Sequence, residues 1–144
     1  MLMNLVFGIS TMTLCLLLQS LLLLAAARYY SASDYLVNSP SLVASIIVVN
    51  GVMFLLVIGN IMQAAIWALV FQVLGEFDLF SKAFYHSMVN FATLGYGDFV
   101  MSEKHKLLGP IEAINGVLMI GVSTAALMAF YQDAIKKTLR ARGK

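Results

Sequence analysis

Six consecutive residues, Thr93-Leu94-Gly95-Tyr96-Gly97-Asp98, hold the chemistry that the rest of this 144-residue chain must position. That chemistry belongs to the backbone. A bare cation such as potassium leaves water only for oxygens of similar strength, and rings of main-chain carbonyls supply them. The carbonyls must all point to one side, which an ordinary strand does not arrange. Gly95 and Gly97 can take positive φ at little steric cost and so permit it. The Thr93 hydroxyl adds one more oxygen at the inner end. The expected ion-binding residues are Thr93, Leu94, Gly95, Tyr96 and Gly97, with potassium held at the first four. No catalytic constellation competes. The two histidines and seven acids show neither metal-ligand nor triad spacing, so an enzyme is the least expected class and no cofactor is expected beyond permeant ions.

Composition places these residues in a membrane. The chain is 61% hydrophobic and 11% charged, whereas a soluble domain averages about 25% charged. The net charge of +2 is too small to imply nucleic acid. A lone Cys15 excludes an intramolecular disulfide.

The elements follow from hydropathy. Residues 5–27 form an apolar run long enough to span, and without a basic start they do not read as a cleaved signal. Arg28 to Ser41 reads as a loop, with Ser39 or Ser41 capping the next helix beside Pro40. Residues 42–75 exceed one hydrocarbon thickness but are too short for two spans, so a single long, tilted helix is expected, with an interfacial piece before Asn50 as the alternative. Asn50, Asn60 and Gln63 should face protein or water. Gly75 to Asp78 is a turn. Leu79 to Ala92, capped by Asp78 or Ser81, is too short to span and runs straight into Thr93. Such a helix is re-entrant, and its negative C-terminal end favours a cation. A polar segment, Phe99 to Lys106, follows. Gly109-Pro110 opens the last span, which runs to about Tyr131, with Pro110 in the first turn.

Charge gives the orientation. The tail carries Lys136, Lys137, Arg140, Arg142 and Lys144 and belongs inside with Arg28. Lys82, Lys104 and Lys106 then lie outside, with Met1 and the mouth of the Thr93–Asp98 loop.

The pattern can now be compared with a known family. Residues 42–138 resemble the two-helix pore module of potassium channels: outer helix, pore helix, Thr-x-Gly-Tyr-Gly-Asp filter, inner helix. A closer similarity is to small bacterial ion-channel proteins. These share a Trp-Ala pair, here Trp67-Ala68, a glycine before the pore helix, here Gly75, and Ala-x-Tyr, here Ala83-Phe84-Tyr85. They also share Leu-Leu-Gly-Pro-x-Glu-Ala-x-x-Gly, here Leu107 to Gly116, and Gly-x-Ser-Thr-Ala, here Gly121 to Ala125. The resemblance implies three domains. Residues 1–41 form an accessory helix and loop, 42–138 the pore module and 139–144 a basic cytoplasmic tail. It also implies the bacterial inner membrane.

The departures from the family are specific. Leu94 replaces the usual valine, Ala92 a second threonine, and Val89 a glutamate that in many channels pairs with the filter aspartate. Asp98 then needs another partner. Tyr85, standing where relatives often have tryptophan, can supply its hydroxyl, and neighbouring His86 can reach the Tyr96 hydroxyl. His86 is otherwise a structural histidine or, with an ordinary pKa near 6.5, a proton sensor. His105-Lys106 replaces Trp-Arg. Gly116 and Gly121 are spaced as hinge or packing glycines of an inner helix. Ser123 and Thr124 are expected near a water-filled cavity. Glu112 reads as a charge at the outer rim.

The expected protein is an all-α homotetramer around a fourfold axis, with three spans and one re-entrant loop per chain, passing potassium passively across the bilayer. No regularly spaced arginines form a voltage sensor. The first helix packs around the tetramer or recruits another subunit. Two alternatives share the architecture: a non-selective cation channel and a membrane assembly protein that does not conduct.

Overall fold

The computed structural model of the protein describes residues 1–143; Lys144, the last residue of the basic tail, lies outside the described residues. It is all-helical, with α1 (Leu2–Ala32), α2 (Asp34–Val37), α3 (Leu42–Val73), α4 (Phe80–Phe91) and α5 (Leu108–Arg142). Helices α1, α3 and α5, of 31, 32 and 35 residues, are long and apolar enough to cross a membrane.

Helices α1 and α5 outrun the apolar segments that define them. Helix α1 extends to Ala32 rather than ending near Ala27, and α3 is one unbroken helix through Asn50-Gly51 and Gly59-Asn60. Ser41 accepts from the Ala44 amide at 3.4 Å and caps α3, while the Ser39 hydroxyl donates to the Leu36 carbonyl instead. Neither Asp78 nor Ser81 caps α4. Its first turn follows the extended Leu79 with no side-chain cap. Pro110 does sit in the first turn of α5, but that helix continues past Tyr131 to Arg142, so the tail is helical as far as Arg142.

The chain forms two compact units. One comprises Ser20–Gly59 and the chain from Gly121 onward. Its core joins Ala26, Tyr30, Val48, Val52, Leu56 and Ala134. Here the polar residues of α5 find partners, which explains why the helix persists. Lys137 bonds Asp34 at 2.8 Å and Asp133 at 2.9 Å, Tyr30 donates to Asp133 at 2.9 Å, and the Arg142 Nε donates to the Pro40 carbonyl at 2.8 Å. Thr138 and Ser45 share a buried hydroxyl contact of 2.6 Å. Asn50 does not face protein; it is exposed and donates to Ile46 of its own helix at 2.9 Å.

The other unit comprises Met1–Gln19 and Asn60–Ile120 and holds the Thr93–Asp98 loop. Its apolar core runs through Cys15, Trp67, Phe71, Phe91, Leu108 and Met119. Helix α1 is part of this core, with Cys15 fully buried and the Gln63 amide donating to Gln19 at 2.8 Å. Asn4 donates to the Lys104 carbonyl at 2.7 Å, tying the chain's start to the segment after the loop.

Candidate functional site

Helix α4 aims the loop. Ala83, His86, Ser87 and Asn90 repeat at helical spacing and turn toward the protein, three of them buried, while Lys82, Tyr85 and Met88 face outward. The helix ends in a motif that also begins the loop. Ala92 is the C-cap, and the next residue, Thr93, has φ +59°. The Thr93 amide donates to the Asn90 carbonyl and the Leu94 amide to the Val89 carbonyl, each at 2.8 Å. This is the Schellman arrangement, with threonine where glycine usually sits. A β-branched residue at positive φ is a genuine outlier, costing about 1–3 kcal/mol.

The strain has a geometric result. Positive φ recurs at Thr93 (+59°), Gly95 (+59°) and Gly97 (+74°), and not at Leu94 or Tyr96. Extended chain with uniform dihedrals turns successive peptide planes in opposite directions. Alternating the sign of φ cancels that reversal and lets successive carbonyls line one side. Residues 92–100 are all exposed in the single chain, with Leu94 at 54% and Tyr96 at 65%. The segment is therefore open along its length in the single chain.

The loop's outer end is held by side chains. The Phe99 amide donates to Asp98 at 3.1 Å, and the Tyr85 hydroxyl faces the Asp98 carboxylate. His86 does not reach Tyr96. Its Nδ1 lies 2.9 Å from the Phe99 carbonyl and must donate, and its Nε2 accepts from the Asn90 amide at 2.9 Å. Both ring nitrogens of the neutral imidazole are thereby engaged, so the ring is a structural brace for the loop's exit.

Two residues missed by sequence reasoning complete the support. Glu76, in the turn after α3, accepts from the Ser102 amide and hydroxyl, each at 2.6 Å, and from His105 Nδ1 at 2.5 Å. Burial pushes this carboxyl up, but the Ser102 and His105 bonds outweigh it and hold it below its usual range. Glu112 is no rim charge. Its residue is 0% exposed, and it bonds the Ser87 hydroxyl beneath α4. A carboxyl three residues from Asn115 in an apolar helix is a sequence signal for such burial. The inner-helix residues divide. Gly116 lies against the Phe91 carbonyl, where a Cβ would overlap backbone, whereas Gly121 has open space around it. Ser123 is buried within its own chain rather than opening on a cavity, because it sits on the covered side of α5; neighbouring Thr124 is exposed.

Comparison with known protein families gives a match. A family model described as an ion channel covers residues 52–133, more than half of the chain, and spans most of α3, all of α4 and the loop, and most of α5. No curated protein and no solved structure matches the chain.

Proposed function

The chain belongs to the ion channel family, and from that premise we propose that it is a potassium-selective channel conducting passively through the carbonyls of Thr93 to Gly97. The observation that carries the reading is the alternation of positive φ at residues 93, 95 and 97. It provides consecutive carbonyl oxygens on one side, the ligand set that replaces the water shell of a potassium ion. Four copies around an axis close the cage, because one exposed strand offers only one wall. The C-terminal end of each α4 points its partial negative charge at the ion path. Asp98, braced by Tyr85, and the His86–Phe99 contact hold the outer end.

Internal contacts support the orientation. Asn4 meets Lys104, and Asp34 and Pro40 meet Lys137 and Arg142, so each terminus shares an end with a different loop. The excess of Arg28, Lys136, Lys137, Arg140 and Arg142 over Lys82, Lys104 and Lys106 favours a cytoplasmic face for the basic tail, with Met1 and the filter mouth outside. The resemblance to small bacterial channel proteins favours the bacterial inner membrane.

The test is ion flux through purified protein in liposomes with potassium on one side and sodium on the other. The expected reversal potential lies near the potassium equilibrium value. Gly95→Ala abolishes the current, because alanine is strained at φ +59° although nothing in the chain crowds its Cβ. Equal currents for the two ions sink potassium selectivity. Closed vesicles that pass no ion under any gradient point to a non-conducting assembly protein.

A further inference from the structure

The buried surroundings of Glu112 join α3, α4 and α5. From α3, the Ala64 carbonyl accepts from the Ser87 hydroxyl at 2.6 Å. The same Ser87 oxygen bonds Glu112 Oε1. The Asn90 amide also lies beside the Glu112 carboxyl. Asn115, one helical turn further along α5, is fully buried, as is Trp67.

Hydrogens can be counted at Ser87. A serine hydroxyl has one hydrogen and can accept twice. A backbone carbonyl can only accept, so the bond to Ala64 uses that hydrogen. The bond between Ser87 and Glu112 then needs a hydrogen from the carboxyl group. The surroundings agree. Cys15 is the titratable group facing the site from α1, and His86 reaches it from α4 through Asn90. Helix α3 presents the Ala64 carbonyl, and Asn115 of α5 and Trp67 of α3 lie beside Cys15, all uncharged. Among the described residues no lysine or arginine pairs with Glu112. An isolated carboxylate without water or a cation is far costlier than a neutral acid.

We infer that Glu112 is a neutral carboxylic acid and a positioning residue, whose proton completes a chain from α5 through Ser87 of α4 to the Ala64 carbonyl of α3. The bracket fixes the pore helix from behind, two turns or less from the residue that starts the filter. Glutamine can replace it, since a side-chain amide also donates to Ser87. Alanine cannot.

This inference goes beyond the conduction reading, and its measurements do not depend on flux. Infrared spectra of the reconstituted protein at neutral pH should show a carboxylic-acid C=O band that shifts in D2O. The band should vanish in Glu112→Gln and move to higher frequency in Ser87→Ala, which removes the acceptor. Hydrogen exchange of residues 87–94 should match wild type in Glu112→Gln and accelerate in Glu112→Ala. Wild-type protein without any such band at neutral pH overturns the neutral acid, and that result needs no variant to fold. A band that persists in Glu112→Gln belongs to another carboxyl and overturns it equally. Equal exchange in the alanine and glutamine variants overturns the positioning role.

Discussion

Three donors converge on the Glu76 carboxylate, two from Ser102 and one from His105. Such bonds to a charged acceptor contribute about 1.5–3 kcal/mol each when the acceptor stays ionised. Because the folded carboxyl titrates below its ordinary value of 4.5, the stabilisation is fully present above that value and is lost as pH falls through the lower folded value. Protection of residues 99–107 from hydrogen exchange should therefore be flat from neutral pH down to about 5 and decline only in stronger acid. Glu76→Gln should show faster exchange already at neutral pH. Equal protection in the variant would mean that apolar packing, not the carboxylate, orders the segment. Nothing in the sequence marked Glu76, because a glutamate after a turn glycine is ordinarily solvated. Gly95 and Gly97 were legible as positions free to take positive φ, and both take it. The positive φ of Thr93 was not, because local preference disfavours it and the Schellman end of α4 imposes it.

At the scale of elements, three long apolar runs and one short helix were readable from hydropathy alone. Their ends were not, because the polar residues at the ends of α1 and α5 form bonds between distant parts of the chain, such as Lys137 with Asp34. The choice between packing and hinge glycines was likewise closed to the sequence. Close approach of α5 to α4 makes Gly116 a contact position: its added Cβ would meet the Phe91 carbonyl, one turn or less from Thr93. Backbone cannot yield as a flexible side chain does, so Gly116→Ala should destabilise by about 1–3 kcal/mol. Thermal unfolding in detergent should register this as a lower midpoint, and under the potassium reading the potassium-to-sodium preference should fall with it because α4 shifts. Gly121→Ala is the internal comparison, since no atom of the chain lies within 4 Å of its built Cβ. A Gly116→Ala midpoint no lower than that of Gly121→Ala would show that the two helices separate without cost.

At the scale of the whole molecule, the single chain leaves most of its apolar surface uncovered. The most apolar stretches of α1, α3 and α5 are only 28%, 33% and 22% buried. Lipid can cover such faces, but under the channel reading it cannot serve the exposed backbone of Thr93–Gly97, whose polar groups would be tolerated at membrane depth only against protein or water. Helix α1 contributes to its own chain's core through Cys15 and the Gln19–Gln63 bond. Under the potassium reading, the ion belongs to the assembled ring and has no comparable site on one chain. Native mass in mild detergent should then correspond to four chains. Mass action adds a sharper expectation: a ligand that binds the assembly alone stabilises it by about 2.7 kcal/mol at a hundredfold excess over its Kd. The temperature at which the assembly dissociates should rise with potassium and stay level with sodium at equal ionic strength. Identical curves in the two salts would mean that the ring holds neither ion preferentially, and a mass of one chain would leave Thr93 to Gly97 with no cage to complete.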